Sequence, residues 1–159
     1  MTKGEVKIRV SVPTTGYRRR MFFNRFAIQW ICGHALAHFA LVDAVGNLRD
    51  SYACVLSRQT LNESRERLGK YLARIGTPEN PEADWVPPAQ GQTDMANFIL
   101  MGYGEEAEIL LAAFAVGPAI QRSKEKNEEI AMEPVACLRC DLETQRQFLA
   151  ALLEQEAET

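Results

Sequence analysis

Residues 24–75 read NRFAIQWICGHALAHFALVDAVGNLRDSYACVLSRQTLNESRERLGKYLARI, and this stretch decides the predicted fold. Three apolar segments come first, separated by reversals at 33–34 and 46–47, where Gly-His and Gly-Asn stand. Glycine and asparagine tolerate the positive φ angles that tight turns need. Residues 60–75 then change to a helical spacing of leucines on one face. The stretch therefore predicts a unit of strands closed by one helix.

Three positions define the ends and the packing of that helix. Thr60 and Glu63 have capping-box spacing, in which the threonine oxygen accepts from a first-turn amide and the glutamate reaches back. Gly76 is a natural residue to end the helix. Gly69, inside the helix, indicates a close approach between helix and sheet. We expect a helix that begins after Thr60 and ends at Gly76.

The same unit is predicted again from about residue 96 to 156, because its segments are echoed in order. Segment 25–28 is echoed by 97–100, segment 37–41 by 112–116, and Ala53-Cys54 by Ala136-Cys137. In the helices, Leu61, Arg65, Leu68 and Leu72 match Leu142, Arg146, Leu149 and Leu153. We predict an α+β fold built by tandem duplication of an antiparallel multi-strand unit closed by one helix, with the helices packed on the sheets.

The predicted boundaries divide one globule into three parts. Residues 1–76 form a basic first repeat, 77–94 a Pro-rich connector, and 95–159 an acidic second repeat. Within the first repeat, ahead of the unit at 24–75, residues 6–12 alternate as a half-buried strand with Lys7 and Arg9 outward, and 17–20 is a basic loop. In the second repeat, strands are expected at 96–103, 107–116 and 131–139. Pro134 in the last strand indicates an edge or a bulge.

Charge is distributed unequally along the chain. Residues 1–75 hold 13 Lys+Arg and 5 Asp+Glu, a net charge of +8, whereas residues 76–159 hold 5 and 16, a net charge of −11. Such asymmetry indicates an electrostatic partner for at least one half. The alternative is that the halves neutralise each other, within one chain or head-to-tail between chains.

Other compositional features favour a cytoplasmic protein. No apolar run has the length and lack of charge that a membrane span needs, and the N-terminus lacks a secretory signal pattern. Three of the four cysteines lie in apolar strand patterns, which is typical of reduced, buried thiols. We therefore expect no membrane association.

Two stretches, 24–31 and 52–75, resemble a bacterial family of small uncharacterised domains. Those domains combine strands with a C-terminal helix that carries a leucine/tyrosine pattern, here Ser57, Leu68 and Tyr71-Leu72. In topology alone, two strand-rich units closed by helices resemble the Whirly and Pur-alpha single-stranded nucleic-acid binders. That resemblance implies a sheet face that carries the ligand, and it assigns no residue roles because no residue motif of those families is present.

Two groups of charged residues are candidate binding sites. The basic group combines arginines with a nearby aromatic ring, which suits phosphate neutralisation and base stacking, and comprises Lys7, Arg9, Tyr17, Arg18, Arg19, Arg20 and Arg25. The acidic group suits charge matching with a protein partner or self-association, and comprises Glu105, Glu106, Glu108, Glu125, Glu128 and Glu129. Either group can also be ordinary solvated surface or can pair with the other.

Metal binding and catalysis have weaker support in the sequence. Thiols and imidazoles that could form a zinc site are Cys32, His34, His38, Cys137 and Cys140, but the turn expected at Gly33 separates them, and packed residues are favoured. Cys54 with a histidine base is the candidate for a catalytic nucleophile, and no catalytic or phosphate-loop motif appears in the sequence. We predict no cofactor and no small-molecule substrate.

The expected function is that of a non-enzymatic accessory or adaptor protein that binds a macromolecular partner through complementary charge. The alternative is single-stranded nucleic-acid binding by the basic half.

Overall fold

The computed structural model describes residues 10–11, 15–80, 93–114 and 130–154. In chain order its elements are β1 (Val10–Ser11), β2 (Arg19–Phe22), β3 (Arg25–Ile31), β4 (His34–Val42), β5 (Leu48–Leu56), α1 (Arg58–Ile75), β6 (Asp94–Ala96), β7 (Phe98–Tyr103), β8 (Ala107–Phe114), β9 (Ile130–Cys140) and α2 (Leu142–Glu154). Both helices pack against strands, α1 on β7 and α2 on β3 and β8. The prediction of an α+β fold is confirmed.

The strands form two mixed sheets. Sheet I has the order β3–β4–β5–β6, and sheet II has the order β1–β9–β8–β7, with β2 also paired to β9. The longer strands pair in antiparallel fashion, while the short strands β1, β2 and β6 pair in parallel with β9 or β5. The turns predicted at 33–34 and 46–47 lie at or beside the observed reversals, so the first strand meander follows the sequence expectation.

Short strands are exchanged between the sheets at two asparagines. Strand β2 belongs to sheet II, but after Phe23 and Asn24 the chain continues as β3 in sheet I. Strand β6 belongs to sheet I, and after Asn97 the chain continues as β7 in sheet II. The Asn24 side chain secures the first crossing, since its amide donates to the Val42 carbonyl (2.7 Å) and its oxygen accepts from the Val42 amide (2.9 Å).

This exchange corrects two predictions. The segment expected as a basic loop at 17–20 contains the start of β2, and the single strand expected at 96–103 is divided between two sheets at Asn97. The strand character of β2 comes from pairing with residues near the other end of the chain, Arg19 with Ala136 through Phe22 with Arg139. Local sequence spacing does not record such a partner. Of the strand expected at 6–12, only residues 10–11 are described, as β1.

The order of a short strand, three antiparallel strands and a helix occurs twice, but the echoed residues do not coincide with the structural register. The helix caps are Ser57 and Asp141, and alignment on these caps sets Leu61 against Gln145 rather than Leu142. Phe39 lies at the centre of its sheet, whereas Phe114 pairs with Met132 at a strand end. The tandem duplication remains a prediction.

Helix α1 begins one turn earlier than its capping-box pattern indicates. It starts at Arg58, and the Ser57 hydroxyl accepts from the Thr60 amide at 3.2 Å. Thr60 is buried and bonds to Ser57, while Glu63 is exposed. The expected end is confirmed, since Gly76 has φ +94 and its amide donates to the Leu72 carbonyl at 2.9 Å.

Two further expectations about local packing are resolved. The expected close packing at Gly69 is wrong, because a Cβ placed there meets no atom within 4 Å. Of the alternatives for Pro134, the bulge is confirmed: Leu111 pairs with Ala136 and Ala112 with Pro134, so one residue of β9 is extra. β9 is an interior strand rather than an edge.

One hydrophobic cluster draws residues from both halves of the chain. Phe39 is at its centre, with ring centroids 5.0 Å from Phe23 and 5.1 Å from Phe148. The helices run antiparallel and cap each other: Arg65 donates to the Leu153 carbonyl at 3.2 Å, and Arg146 donates to the Ile75 carbonyl at 2.8 Å. Cations at helix C-termini are stabilising, so each helix completes the end of the other.

Candidate binding cleft

The predicted basic group does not lie together on one open surface. Lys7 and Arg9 fall outside the described residues. Tyr17 is only 8% exposed, and its burial raises the pKa of its hydroxyl. Arg19 directs its side chain to the Asp50 carboxylate and to the Ser51 carbonyl. The Tyr17 ring is therefore not exposed for stacking and the Arg19 side chain has partners within the chain, while their assignment as binding residues stays a prediction.

Three arginines of this group are exposed: Arg18, Arg20 and Arg25. Arg18 approaches Glu133 at 3.8 Å, and Arg25 lies in sheet I, on a different sheet from Arg20. Because Met21 points into the core, its neighbours Arg20 and Phe22 point to the outer side of sheet II. The register places Arg20 beside Cys137 and Phe22 beside Arg139.

Carboxylates border these arginines on the outer side of sheet II. Glu108 pairs across the strands with Arg139 and accepts a hydrogen bond from the Cys137 thiol at 3.5 Å. Glu106 lies 4.0 Å from Arg139. This surface therefore has mixed charge rather than a continuous basic stripe.

The predicted acidic group is partly brought together. Glu105 and Glu106 lie in the turn between β7 and β8, and Glu108 follows in β8. Glu105 is exposed and forms no ion pair among the described residues. Glu125, Glu128 and Glu129 lie outside the described residues.

A cleft of about 430 Å³ opens at the end of sheet II, beside the β7–β8 turn. We call it the aromatic cleft; it is lined by Phe22, Phe23, Leu41, Tyr103, Gly104, Glu105, Glu106, Ala107, Cys140, Asp141 and Leu142. Its volume lies within the range of about 300–1,000 Å³ typical of ligand sites. Phe22 is 49% exposed and Tyr103 is 54% exposed, although large aromatic side chains normally bury more of their surface.

The two exposed rings lie at opposite ends of the row of strands that lines this cleft, and on different faces of sheet II: Phe22 is in register with Arg139 on the outer face, whereas Tyr103 is in register with the buried Ala107. Phe22 ends β2, Cys140 ends β9, Ala107 begins β8 and Tyr103 ends β7, and these strands lie side by side in that order. Neighbouring strands are about 4.8 Å apart, so about 14 Å separates the backbones of Phe22 and Tyr103. The buried Phe23 and the apolar chain at Ala107 and Cys140 lie between them.

Buried contacts hold the Tyr103 wall in place. The Tyr103 ring meets Tyr71 edge-on at 6.3 Å, and the Tyr71 hydroxyl donates to Gln145 Oε1 at 2.8 Å. Gln145 Nε2 in turn donates to the carbonyls of Gly102 and Glu108, each at 3.0 Å. Gln145 is completely buried, so one side chain of α2 fixes both strands that carry the β7–β8 turn.

The carboxylates make the rim of the cleft acidic. Glu105 is at the tip of the turn, Glu106 has only the long contact to Arg139, and Asp141 stands at the start of α2. Asp141 caps that helix by accepting from the Thr144 amide at 2.7 Å. A cleft whose lining combines apolar side chains with carboxylates is suited to a ligand that combines positive charge with apolar surface.

The thiols and imidazoles weighed as a zinc site lie on two different sheets. Cys32 and His34 flank the turn between β3 and β4, and His38 lies in β4, whereas Cys137 and Cys140 lie in β9. His34 Nδ1 accepts from the Arg58 amide at 2.9 Å, and His38 Nε2 is 2.9 Å from Gln29 Oε1. Within the part of the chain that is described, no three His, Cys, Asp or Glu residues are grouped to hold a metal ion.

The buried thiols are in environments that disfavour a nucleophile. Burial raises the pKa of Cys54 to about 12. The pKa of Cys137 is raised by burial and then by the negative charge of Glu108, and burial also raises the pKa of Cys140. Since the thiolate is the reactive form, these three cysteines are packing residues at neutral pH. All four cysteines are free, and Cys32 is the exposed one.

The sequence reasoning missed the walls and floor of the cleft. Glu105 and Glu106 were candidates, but Tyr103 and Leu41 were not, because they come together with Phe22 only through contacts between strands that are distant in the sequence. The one local signal was the adjacent pair Phe22-Phe23, in which alternation along a strand exposes one aromatic ring while the next is buried.

No helix in the described ranges combines the length and apolar character required to cross a membrane. Comparisons of the chain with protein-family models, with curated proteins and with solved structures find no match.

Proposed function

We propose that this chain is a cytoplasmic accessory or adaptor protein that binds a partner protein through complementary charge, and that the aromatic cleft binds a basic segment of that partner. The observation that carries the proposal is the acidic rim around exposed aromatic rings, at Glu105, Phe22 and Tyr103. Exposed aromatic surface beside charged groups is typical of binding surfaces, where rings supply most of the contact energy.

Within the described residues, pairing between the halves of the chain does not account for the charge asymmetry. Among the ion pairs between described residues, only Arg18–Glu133 joins the basic first half to the acidic second half. Both residues of that pair are exposed, and such pairs contribute about 0–1 kcal/mol. The charge at the β7–β8 turn therefore remains available to another molecule, including the basic half of a second copy.

Single-stranded nucleic-acid binding is the second candidate, and one observation favours it. Arg20 and Arg139 flank the exposed Phe22 on adjacent strands, which combines phosphate contacts with a stacking surface. Against it, Glu106 and Glu108 adjoin Arg139 and would face the phosphates. Like charges at an interface oppose association, so this surface favours a protein partner.

Binding of short random-sequence basic peptides to the full chain tests the proposal. We expect binding at about 0.01 M salt that is lost at about 1 M, where the Debye length falls from about 30 Å to about 3 Å. Acidic peptides of the same length serve as the ligand control. The charge-reversed variant Glu105→Lys/Glu106→Lys should lose basic-peptide binding, whereas Glu63→Lys on the exposed face of α1 should retain it.

A single-stranded oligonucleotide is titrated in parallel to separate the two candidates. We expect no binding to the wild-type chain. Salt-dependent oligonucleotide binding that disappears in Arg20→Glu, together with no basic-peptide binding, would establish the nucleic-acid candidate and refute the proposed one.

A further inference from the structure

We infer that the aromatic cleft selects an arginine side chain, with an apolar neighbour, as the anchor of the basic segment. This inference rests on the proposed function and names the group that the cleft recognises.

The rings offer flat surfaces to a planar cation. Phe22 and Tyr103 both line the cleft, on different faces of sheet II, and Tyr71 meets the Tyr103 ring edge-on. A guanidinium stacks on aromatic faces and is more weakly hydrated than an ammonium. The preference for a planar cation therefore follows from the same rings that make the cleft apolar.

The rim offers acceptors for the edges of that cation. Glu105 extends from the turn without an ion pair among described residues, and Glu106 has only a long contact to Arg139, at 4.0 Å, among them. The turn that carries them is closed by a hydrogen bond from the Gly104 amide to the Glu106 carbonyl at 3.0 Å. Arginine presents five donors in a fixed fork that suits carboxylate pairs, whereas lysine acts as a point charge.

The start of α2 does not exclude a cation from the cleft. A helix N-terminus carries partial positive charge, which would repel an arginine. Here the Asp141 carboxylate, which lines the cleft, caps the helix. The local charge at this end of the cleft is therefore negative.

The volume of the cleft indicates that arginine does not bind alone. At about 430 Å³ the cleft is larger than one side chain requires, and the apolar part of its lining includes Leu41, Ala107 and Leu142. An apolar residue next to the arginine would cover this apolar lining and remove it from water. The recognised element is therefore an arginine with an adjacent aliphatic side chain.

Three blocked tripeptides test the inference by NMR titration of the full chain: leucine–arginine–leucine and its lysine and citrulline counterparts. We expect the arginine peptide to bind at least about threefold more tightly than the lysine peptide, and the uncharged citrulline peptide to bind weakest. Phe22→Ala and Tyr103→Ala should each weaken arginine binding about two- to fivefold and reduce the difference between arginine and lysine.

Two variants on other surfaces serve as matched controls. Met95→Ala removes an exposed apolar side chain from β6 of sheet I, and Glu63→Gln removes an exposed carboxylate from α1. Both should bind the arginine peptide as the wild type does. Amide shifts in the free variants establish that each one is folded.

The outcomes separate this inference from the proposed function. Equal affinity for arginine and lysine peptides, with both lost in Glu105→Gln, would overturn the arginine selectivity and leave the basic-segment site standing. Equal affinity for arginine and citrulline would overturn the inference by removing the need for charge. Binding of the random basic peptides with no response to any tripeptide would also refute the arginine anchor.

Discussion

Replacement of Gln145 by leucine tests the buried network behind the cleft. The side chain is fully buried, accepts from Tyr71 and donates to the carbonyls of Gly102 and Glu108. Leucine has nearly the same size but satisfies none of these groups. Each buried polar group left without a hydrogen-bond partner costs about 1–3 kcal/mol of unfolding free energy. The cost is smaller where a carbonyl keeps a second hydrogen-bond partner. We expect Gln145→Leu to lower the free energy of unfolding by about 3 kcal/mol.

Urea unfolding measures this loss. With a urea dependence of about 2 kcal/mol per M, a loss of about 3 kcal/mol moves the midpoint down by about 1.5 M. Tyr71→Phe removes one donor and should cost about 1–1.5 kcal/mol. The double variant should cost less than the sum by about 1 kcal/mol, because both single changes remove the same hydrogen bond.

A nearby glutamine supplies the control. Gln147 lies two residues further along α2, outside the core, and Gln147→Leu should stay within about 0.5 kcal/mol of the wild type. A stability of Gln145→Leu within that same margin would refute the role assigned to the network.

Four further substitutions test local features. Ser57→Ala should lower the free energy of unfolding by about 1 kcal/mol as the cap of α1 is lost, whereas Glu63→Ala should change it by less than about 0.5 kcal/mol. A larger loss in Glu63→Ala than in Ser57→Ala would instead support the capping box at Thr60 and Glu63. Gly69→Ala should raise the unfolding free energy by about 1 kcal/mol, since open space surrounds the new methyl group, and a lower value would show an unseen contact. The hydrogen bond from the Asn47 backbone amide is the largest cause that lowers the pKa of Asp43. The stabilising contribution of the Asp43 carboxylate is therefore present above the ordinary aspartate pKa and is lost as pH falls through the lowered value. An Asp43→Asn variant should thus differ from wild type near neutrality and converge with it in acid, as unfolding across a pH series will measure.

Much of the fold could be predicted because its signals are local. Helix periodicity, Gly76 after α1 and the Gly46-Asn47 turn each act within a few residues, and the structure has all three. The capping error arose from two competing hydroxyls: Ser57 and Thr60 both suit a cap, and Ser57 receives the amide because β5 ends immediately before it. Such competition is decided by tertiary placement.

The remaining features depend on contacts between distant parts of the chain. β2 has only four residues, two of them arginines, and it forms a strand because it pairs with β9. That pairing buries Met21 and exposes Arg20 and Phe22 on the outer side. It also sets Phe22 at the rim of the aromatic cleft. The candidate site was therefore predictable in its carboxylates, which lie in one turn, but not in its rings.

The central claim, that a basic partner binds in the aromatic cleft, is tested most directly by the amide shifts of the full chain as short random-sequence basic peptides are added at low salt. The account predicts shifts concentrated at 103–107 and 140–142 and at Phe22 and Phe23, all of which disappear at about 1 M salt, where the Debye length is about 3 Å. Shifts confined to sheet I, or no shifts at any peptide concentration, would contradict it.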